Sequence, residues 1–110
     1  MIKKLVTIAA LAMLLGSPAS YAAGAFITGN SLANDCEKND SMFQDGFCYG
    51  FVIGVFDRMQ GDAMCAPDGV TIKQAVSIVK KFLKENPEDL HLPANGLVSV
   101  ALALAFPGSC

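Results

Sequence analysis

The sequence predicts a small all-α domain in which four helices, stapled by disulfide bonds, follow a cleaved signal peptide. Three observations predict this class: an apolar leader preceded by lysines, apolar residues at helical spacing through the rest of the chain, and an even number of cysteines, four in 110 residues. A chain of this length holds one small domain and excludes a two-domain enzyme.

The first element is the leader. Lys3 and Lys4 precede an apolar run over residues 5–15, and Gly16, Ser17 and Pro18 follow it. This pattern is typical of a secretory signal peptide and is too short for a membrane span. Ser20 and Ala22 supply the small residues required before the cut, so we expect cleavage after Ala22, with a signal peptide over 1–22 and a mature domain over 23–110.

Export removes Lys3 and Lys4 and leaves six basic and ten acidic residues, a formal net charge of −4. This balance argues against nucleic acid and against a membrane as partners of the mature protein. It is compatible with a basic protein partner, which acidic side chains would help to steer into place.

The first two helices are predicted on either side of a polar stretch. Asn30 is in position to cap a short helix that carries Leu32 and Cys36 on one face, and the stretch 37–46 should end it. A second helix is expected from Phe47 to about Gln60. Gly46, Gly50 and Gly54 recur every fourth residue along this segment and predict a smooth stripe for close packing by another helix. A buried strand is the alternative for this segment.

The third and fourth helices are more clearly delimited. Thr71 and Gln74 form a potential capping box before apolar residues at helical intervals, and Asn86-Pro87 should end that helix. Pro93 suits the start of a last helix over 94–106, which is apolar on all sides. A helix of that kind should run through the centre of the domain or through an oligomer interface.

The cysteines of an exported chain usually form disulfide bonds, and we expect two. Cys48 and Cys65 lie at opposite ends of the second helix, about 25 Å apart, and cannot pair. Antiparallel packing of successive helices favours Cys36 with Cys48 and Cys65 with Cys110. The crossed pairing, Cys36 with Cys65 and Cys48 with Cys110, requires a different packing of the helices.

No arrangement of residues predicts catalysis or metal binding. The wide cysteine spacing and the single imidazole, His91, do not fit a zinc site, and the acids between Asp35 and Asp45 lack the alternation of an EF-hand loop. The position of Asp57 within the apolar second helix indicates a structural role more than a catalytic one. We therefore expect a binding protein with no cofactor and no metal, and not an enzyme.

Several blocks resemble the Rap/Tai family of bacterial immunity proteins across nearly the whole mature chain. The blocks are Thr28-Gly29-Asn30, Cys48-Tyr49-Gly50-Phe51-Val52-Ile53-Gly54 with Asp57, Asn86-Pro87-Glu88 and Ala105-Phe106-Pro107. Their joint order and spacing carry the resemblance, because each block alone is a weak signal. The chain departs from the family where Gly108 and Ser109 stand before Cys110, which could loosen the last disulfide bond.

The resemblance implies an exported, helical and often dimeric protein that neutralises a peptidoglycan-cleaving effector delivered by type VI secretion. We therefore expect a periplasmic homodimer that binds an amidase effector and inhibits it by occluding the active-site groove. The matched residues belong mostly to the scaffold, so contact with the effector is expected from the loops 39–45 and 60–68. The candidate contact residues there are Met42, Phe43, Asp45, Asp62, Met64 and Asp68.

The alternative is a periplasmic acid-stress chaperone of the HdeA type, which is also small, helical and disulfide-bonded. The two functions differ in their pH dependence. A chaperone should prevent aggregation of client proteins only at low pH, whereas an inhibitor should bind one folded enzyme near neutrality.

Overall fold

The protein folds into four α-helices: α1 (Gly29–Glu37), α2 (Met42–Met59), α3 (Ile72–Glu85) and α4 (Ala94–Ala105). A short 3₁₀ helix (Pro87–Asp89) separates α3 from α4. This computed structural model describes residues 26–37 and 41–110. The predicted signal peptide over 1–22, and with it the predicted cleavage site, lies outside these residues.

Each of the four helices packs against the other three, and this arrangement forms a single core. The largest side chains that are fully removed from solvent are Leu32, Met64, Leu102, Val52, Val79 and Val98. They come from all four helices and from the loop after α2. The all-α class predicted from the sequence is confirmed for the described residues.

The helix starts reveal two errors in the sequence analysis. Helix α1 begins at Gly29 because the Thr28 hydroxyl, and not Asn30, accepts a hydrogen bond from the Ser31 amide at 3.3 Å. Helix α2 begins at Met42, five residues before the predicted start, because the Ser41 hydroxyl accepts from the Gln44 amide at 3.1 Å. A short polar segment with a good N-cap residue thus starts a helix where a break was expected.

Helix α3 has the capping box that the sequence predicts. The Gln74 amide donates to the Thr71 hydroxyl at 3.1 Å, and the Thr71 amide donates to Gln74 Oε1 at 2.7 Å. The helix ends at Glu85, immediately before Asn86-Pro87, as predicted. The Asn86 side chain donates to the Phe82 carbonyl at 2.8 Å and satisfies one of the carbonyl groups left free at the helix end.

The glycine stripe of α2 is exposed, which contradicts the prediction of close helix packing. A Cβ atom built at Gly46, Gly50 or Gly54 meets no atom within 4 Å. The core is instead covered by the opposite side of α2, through Cys48, Val52 and Met59. Close approach by backbone occurs at Gly29, where a Cβ atom would lie 2.9 Å from the Leu90 carbonyl oxygen and 2.5 Å from Leu97 Cδ1.

Two disulfide bonds join separate parts of the chain. Cys36 at the end of α1 is bonded to Cys48 in α2, and Cys65 after α2 is bonded to Cys110 at the carboxyl terminus. These are the two pairs that antiparallel packing favours. The Cα–Cα distances of 5.0 and 5.4 Å lie in the normal range, so Gly108 and Ser109 do not prevent the second bond.

The amino end of α1 is fastened to the segment before α4. The amides of Gly29 and Asn30 donate to the carbonyls of Leu92 and Leu90 at 2.9 and 2.8 Å, and the Ala94 amide donates to the Ile27 carbonyl at 2.9 Å. These bonds fix the start of α1 against the connection between α3 and α4. Among the described residues no helix is both long and apolar enough to cross a membrane.

Candidate partner-binding surface

The first turn of α2 exposes two large apolar side chains. Met42 is 92% exposed and Phe43 is 80% exposed, although both are hydrophobic. Neighbouring Met and Phe side chains that are fully open to water are a feature of protein-binding surfaces more than of a solvated helix face. Both residues were predicted from the sequence as contact residues, and both lie at the surface.

The apolar row continues along α2 through half-buried aromatic side chains. Phe43, Phe47 and Phe51 follow at intervals of four residues, and the rings of Phe47 and Phe51 are stacked with centroids 6.1 Å apart. The exposed glycines Gly46, Gly50 and Gly54 lie beside this row. We refer to Met42, Phe43, Phe47, Gly46, Gly50 and Gly54 together as the α2 surface. It offers aromatic side chains next to backbone that a partner can approach closely.

The loop after α2 is closed by hydrogen bonds between Gln60 and Ala66. The Gln60 side chain donates to the Ala66 carbonyl at 2.9 Å and accepts from the Ala66 amide at 3.0 Å. Met64 is fully buried, so it is a core residue and not the surface contact that was predicted. The burial of Met64 cannot be predicted from the sequence, because a single Met in a loop shows no periodicity that would indicate its direction.

Asp62 and Asp68, the other predicted contacts in this loop, are exposed. Asp62 accepts from Arg58 Nη1 at 3.4 Å in an ion pair whose side chains are both largely exposed. The 18 residues of α2 separate these acids from Met42 and Phe43 by a rise of about 26 Å. The predicted contact residues therefore fall into two groups, one at each end of α2.

Asp45 lines a cleft of about 640 Å³ between α2 and α3. Gly46 and Tyr49 belong to the same wall, and Cys36 contributes from the end of α1. The opposite wall is formed by α3 through Lys73, Val76, Ser77 and Lys80. The cleft was not predicted from the sequence, because no pattern indicated that Gly46 faces α3.

Asp57 stands at the edge of a smaller, apolar pocket of about 340 Å³ between the end of α2 and the start of α3. Ile53, Phe56 and Ile72 line it, and Asp57 itself is exposed. Thr71 is the other polar side chain of the lining, and its hydroxyl accepts a hydrogen bond from the Gln74 amide in the capping box of α3. Among the described residues, no three His, Cys, Asp or Glu side chains lie together in a way that could hold a metal ion.

Helix α4 has a second exposed apolar face. Val100 is 48% exposed and Leu104 is 71% exposed, whereas Leu97, Val98 and Leu102 on the other side are buried. The helix contains no charged residue. The sequence predicted that α4 runs through the centre of the domain or through an oligomer interface. One side of α4 does face the core, and the other side is uncovered in the single chain.

Comparison with known proteins relates most of the chain to one protein family. Residues 28–110 match the family model described as Rap1a immunity proteins, and these residues include all four helices and both disulfide bonds. No curated protein and no solved structure gave a match. Since the match covers about three quarters of the sequence, the chain belongs to the Rap1a immunity protein family.

Proposed function

We propose that this protein is an exported inhibitor that protects the cell wall by binding one peptidoglycan-cleaving amidase delivered by type VI secretion. Family membership, which links the chain to type VI effector immunity, is the observation that carries the proposal. Immunity proteins of this family are periplasmic, and the leader over 1–22 is the segment that would direct export. The protein acts by binding and not by catalysis.

The α2 surface is the region we propose to contact the effector. Affinity at protein interfaces is concentrated in a few apolar anchors near the centre of the contact. Met42 and Phe43 are suited to that role because they protrude from the first turn of a disulfide-held helix, so little backbone conformational entropy is lost when they are buried. Inserted into the active-site groove of a hydrolase, they would exclude the peptide substrate.

The acids Asp62 and Asp68 can belong to the same contact. A protein interface of ordinary size buries about 800 Å² on each partner, which corresponds to a patch roughly 30 Å across. That dimension exceeds the rise of α2. We therefore propose that the apolar first turn provides the anchors and that the distal acids steer a basic region of the effector.

The test is capture of the effector by the oxidised mature protein, residues 23–110, at neutral pH. Secreted and periplasmic fractions of the source strain and its close relatives are passed over the immobilised protein, and retained proteins are identified and assayed on peptidoglycan. We expect one small cell-wall amidase that loses its activity when bound. Retention of no hydrolase, or of a hydrolase that stays fully active, would contradict the proposed function.

The contact residues are tested by paired variants. Met42→Ser with Phe43→Ser should abolish retention of the amidase, because both anchors become polar. Phe26→Ser is the matched control, since Phe26 is 95% exposed and lies outside the α2 surface. Equal retention by both variants would place the effector contact elsewhere.

We also propose a homodimer, formed through the exposed face of α4. Val100 and Leu104 offer an uncharged apolar area that a second copy of the chain would cover. Leu104→Lys should convert a dimer into a monomer in sedimentation velocity, because it places two charges in the contact. Asn95→Lys, on another side of the same helix, should leave the dimer intact, and a wild-type monomer at all concentrations would contradict the proposal.

A further inference from the structure

The cleft between α2 and α3 is formed partly by buried residues that the fold holds in place. Its base includes the buried residues Cys36, held in a disulfide bond, and Val76, which are 4% and 3% exposed. Gly46 leaves one wall open, because a Cβ atom there would meet nothing within 4 Å. At about 640 Å³ the cleft lies within the size range of sites that hold small ligands or short peptide segments.

The charged side chains that line the cleft are mainly positive, although the net charge of the molecule is negative. Of the six Lys and Arg residues after the predicted leader, four lie in α3, and the chain as a whole has a negative formal charge. Lys73 and Lys80 line the cleft. The described residues contain two ion pairs, Arg58 with Asp62 and Lys81 with Glu85, and neither involves Lys73 or Lys80.

We propose that this cleft, which we call the lysine cleft, binds an extended acidic segment of a protein partner, with Lys73 and Lys80 each pairing with a carboxylate. Their Cα atoms are two helical turns, about 10.5 Å, apart. Two carboxylates on one face of an extended segment are about 7 Å apart. Flexible lysine side chains bridge the difference, and Tyr49 and Val76 provide apolar contact below the ion pairs.

Asp45 sets the direction of binding. Its carboxylate lies on the α2 wall, opposite the lysines, and repels acidic groups from that side. The acidic face of the segment must therefore turn toward α3. The identification of the partner as the effector rests on the proposed function, whereas binding of an acidic segment as such does not.

The cleft is tested by NMR titration of the oxidised mature protein at low ionic strength. The probe is a terminally blocked octapeptide of Ala and Ser with Glu at its third and fifth positions, and the control peptide has Gln at both. We expect the Glu peptide to shift the amide resonances of Gly46, Tyr49 and Lys80, and the Gln peptide to shift none of them. Equal shifts with both peptides, or no shifts with either, would overturn the proposal.

Charge variants distinguish binding in the lysine cleft from nonspecific electrostatic attraction of the peptide to α3. Lys73→Gln with Lys80→Gln should weaken binding of the Glu peptide about three- to tenfold, and Asp45→Asn should strengthen it. Lys81→Gln with Lys84→Gln makes the same change of charge on the same helix outside the lysine cleft, and should change affinity less than twofold. An equal loss in the two double variants would show that the cleft is not a site.

The same titration tests whether peptide binding depends on the open space beside Gly46. Gly46→Leu should block the cleft and abolish the shifts, whereas Gly54→Leu, on the same helix outside the cleft, should not. Binding of phosphatidylglycerol vesicles through Lys73 and Lys80, without binding of the Glu peptide, would assign the site to a membrane and overturn the proposal.

Capture of the effector then tests whether the effector is the partner that binds in the lysine cleft. Loss of the amidase in the Lys73→Gln, Lys80→Gln variant supports the assignment, and undiminished capture overturns it. If even the wild-type protein captures no hydrolase, the proposed function fails, while the peptide titration still decides whether the cleft binds acidic segments.

Discussion

Gly29 and Gly50 show how differently one residue type is used at two helix positions. Gly29 lies where the start of α1 meets the segment before α4, with the Leu90 carbonyl oxygen 2.9 Å from a Cβ atom built there. Gly50 faces open space in the middle of α2. The first glycine is required by packing, and the second reduces the stability of the single chain.

Substitution by alanine should therefore have opposite effects at these two sites. Gly29→Ala should lower the free energy of unfolding by about 1–3 kcal/mol, because backbone and Leu97 must move to admit a methyl group. Gly50→Ala should raise it by about 0.5–1 kcal/mol through helix propensity. Urea unfolding of the oxidised protein measures both, and a destabilised Gly50→Ala variant would show that a partner already covers this position.

Met64 and Met42 form a second contrast, between core and surface. Met64→Ala should destabilise the protein by about 2–5 kcal/mol, because the side chain is fully buried and its removal leaves a cavity. Met42→Ala should change stability by less than about 0.5 kcal/mol, since Met42 is 92% exposed. Thermal unfolding followed by circular dichroism tests the pair, and similar losses in both variants would contradict the assigned burial.

At the level of whole elements, the helix starts depend on single polar side chains. Ser41 and Thr71 each accept a hydrogen bond from the amide three residues later, at 3.1 Å. Ser41 was overlooked because Met42 and Phe43, which follow it, were interpreted as part of a loop. Capping residues followed by apolar residues thus mark helix starts even within polar stretches.

The capping box of α3 should contribute measurably to stability. Thr71→Ala should lower the free energy of unfolding by about 1 kcal/mol, because the Gln74 amide loses its acceptor. Ser77→Ala, an exposed position in the interior of the same helix, should be neutral or slightly stabilising. The difference between the two urea midpoints is the measurement, and a neutral Thr71→Ala variant would contradict the role of the box.

At the scale of the whole molecule, the disulfide bonds close loops of very different length. Cys36 and Cys48 are 12 residues apart, whereas Cys65 and Cys110 are 45 apart and join the loop after α2 to the end of the chain. In the loop-entropy treatment the longer loop restricts the unfolded chain more, so its bond stabilises the fold more. Much of the stability of so small a domain therefore depends on oxidation.

Removal of each bond separately tests this ranking. Cys65→Ala with Cys110→Ala should cost about 4 kcal/mol, and Cys36→Ala with Cys48→Ala about 3 kcal/mol. Guanidinium unfolding of the two double variants gives both values against the oxidised wild type. A larger loss for the shorter loop would mean that native packing around Cys36 and Cys48, and not chain entropy, dominates.

The sequence alone was sufficient to predict the helical class, the end of α3, its capping box and the family resemblance. These features depend on local chemistry: Thr71 and Gln74 satisfy each other, and Pro87 disfavours the helical conformation at Asn86, the residue before it. The favoured cysteine pairing also follows from helix lengths and short connections. None of these requires knowledge of which side of a helix meets the core.

The tertiary structure decided which faces are covered. Helix α2 is apolar on nearly every side, so its sequence has little periodic signal to show that Cys48 and Val52 face inward while Phe43 and Gly50 face outward. The direction of Met64, and the position of Gly46 across one cleft from Lys73 and Lys80, likewise depend on contacts between segments distant in the chain. The surfaces available to partners are what remains after those contacts form, and only the packed structure reveals them.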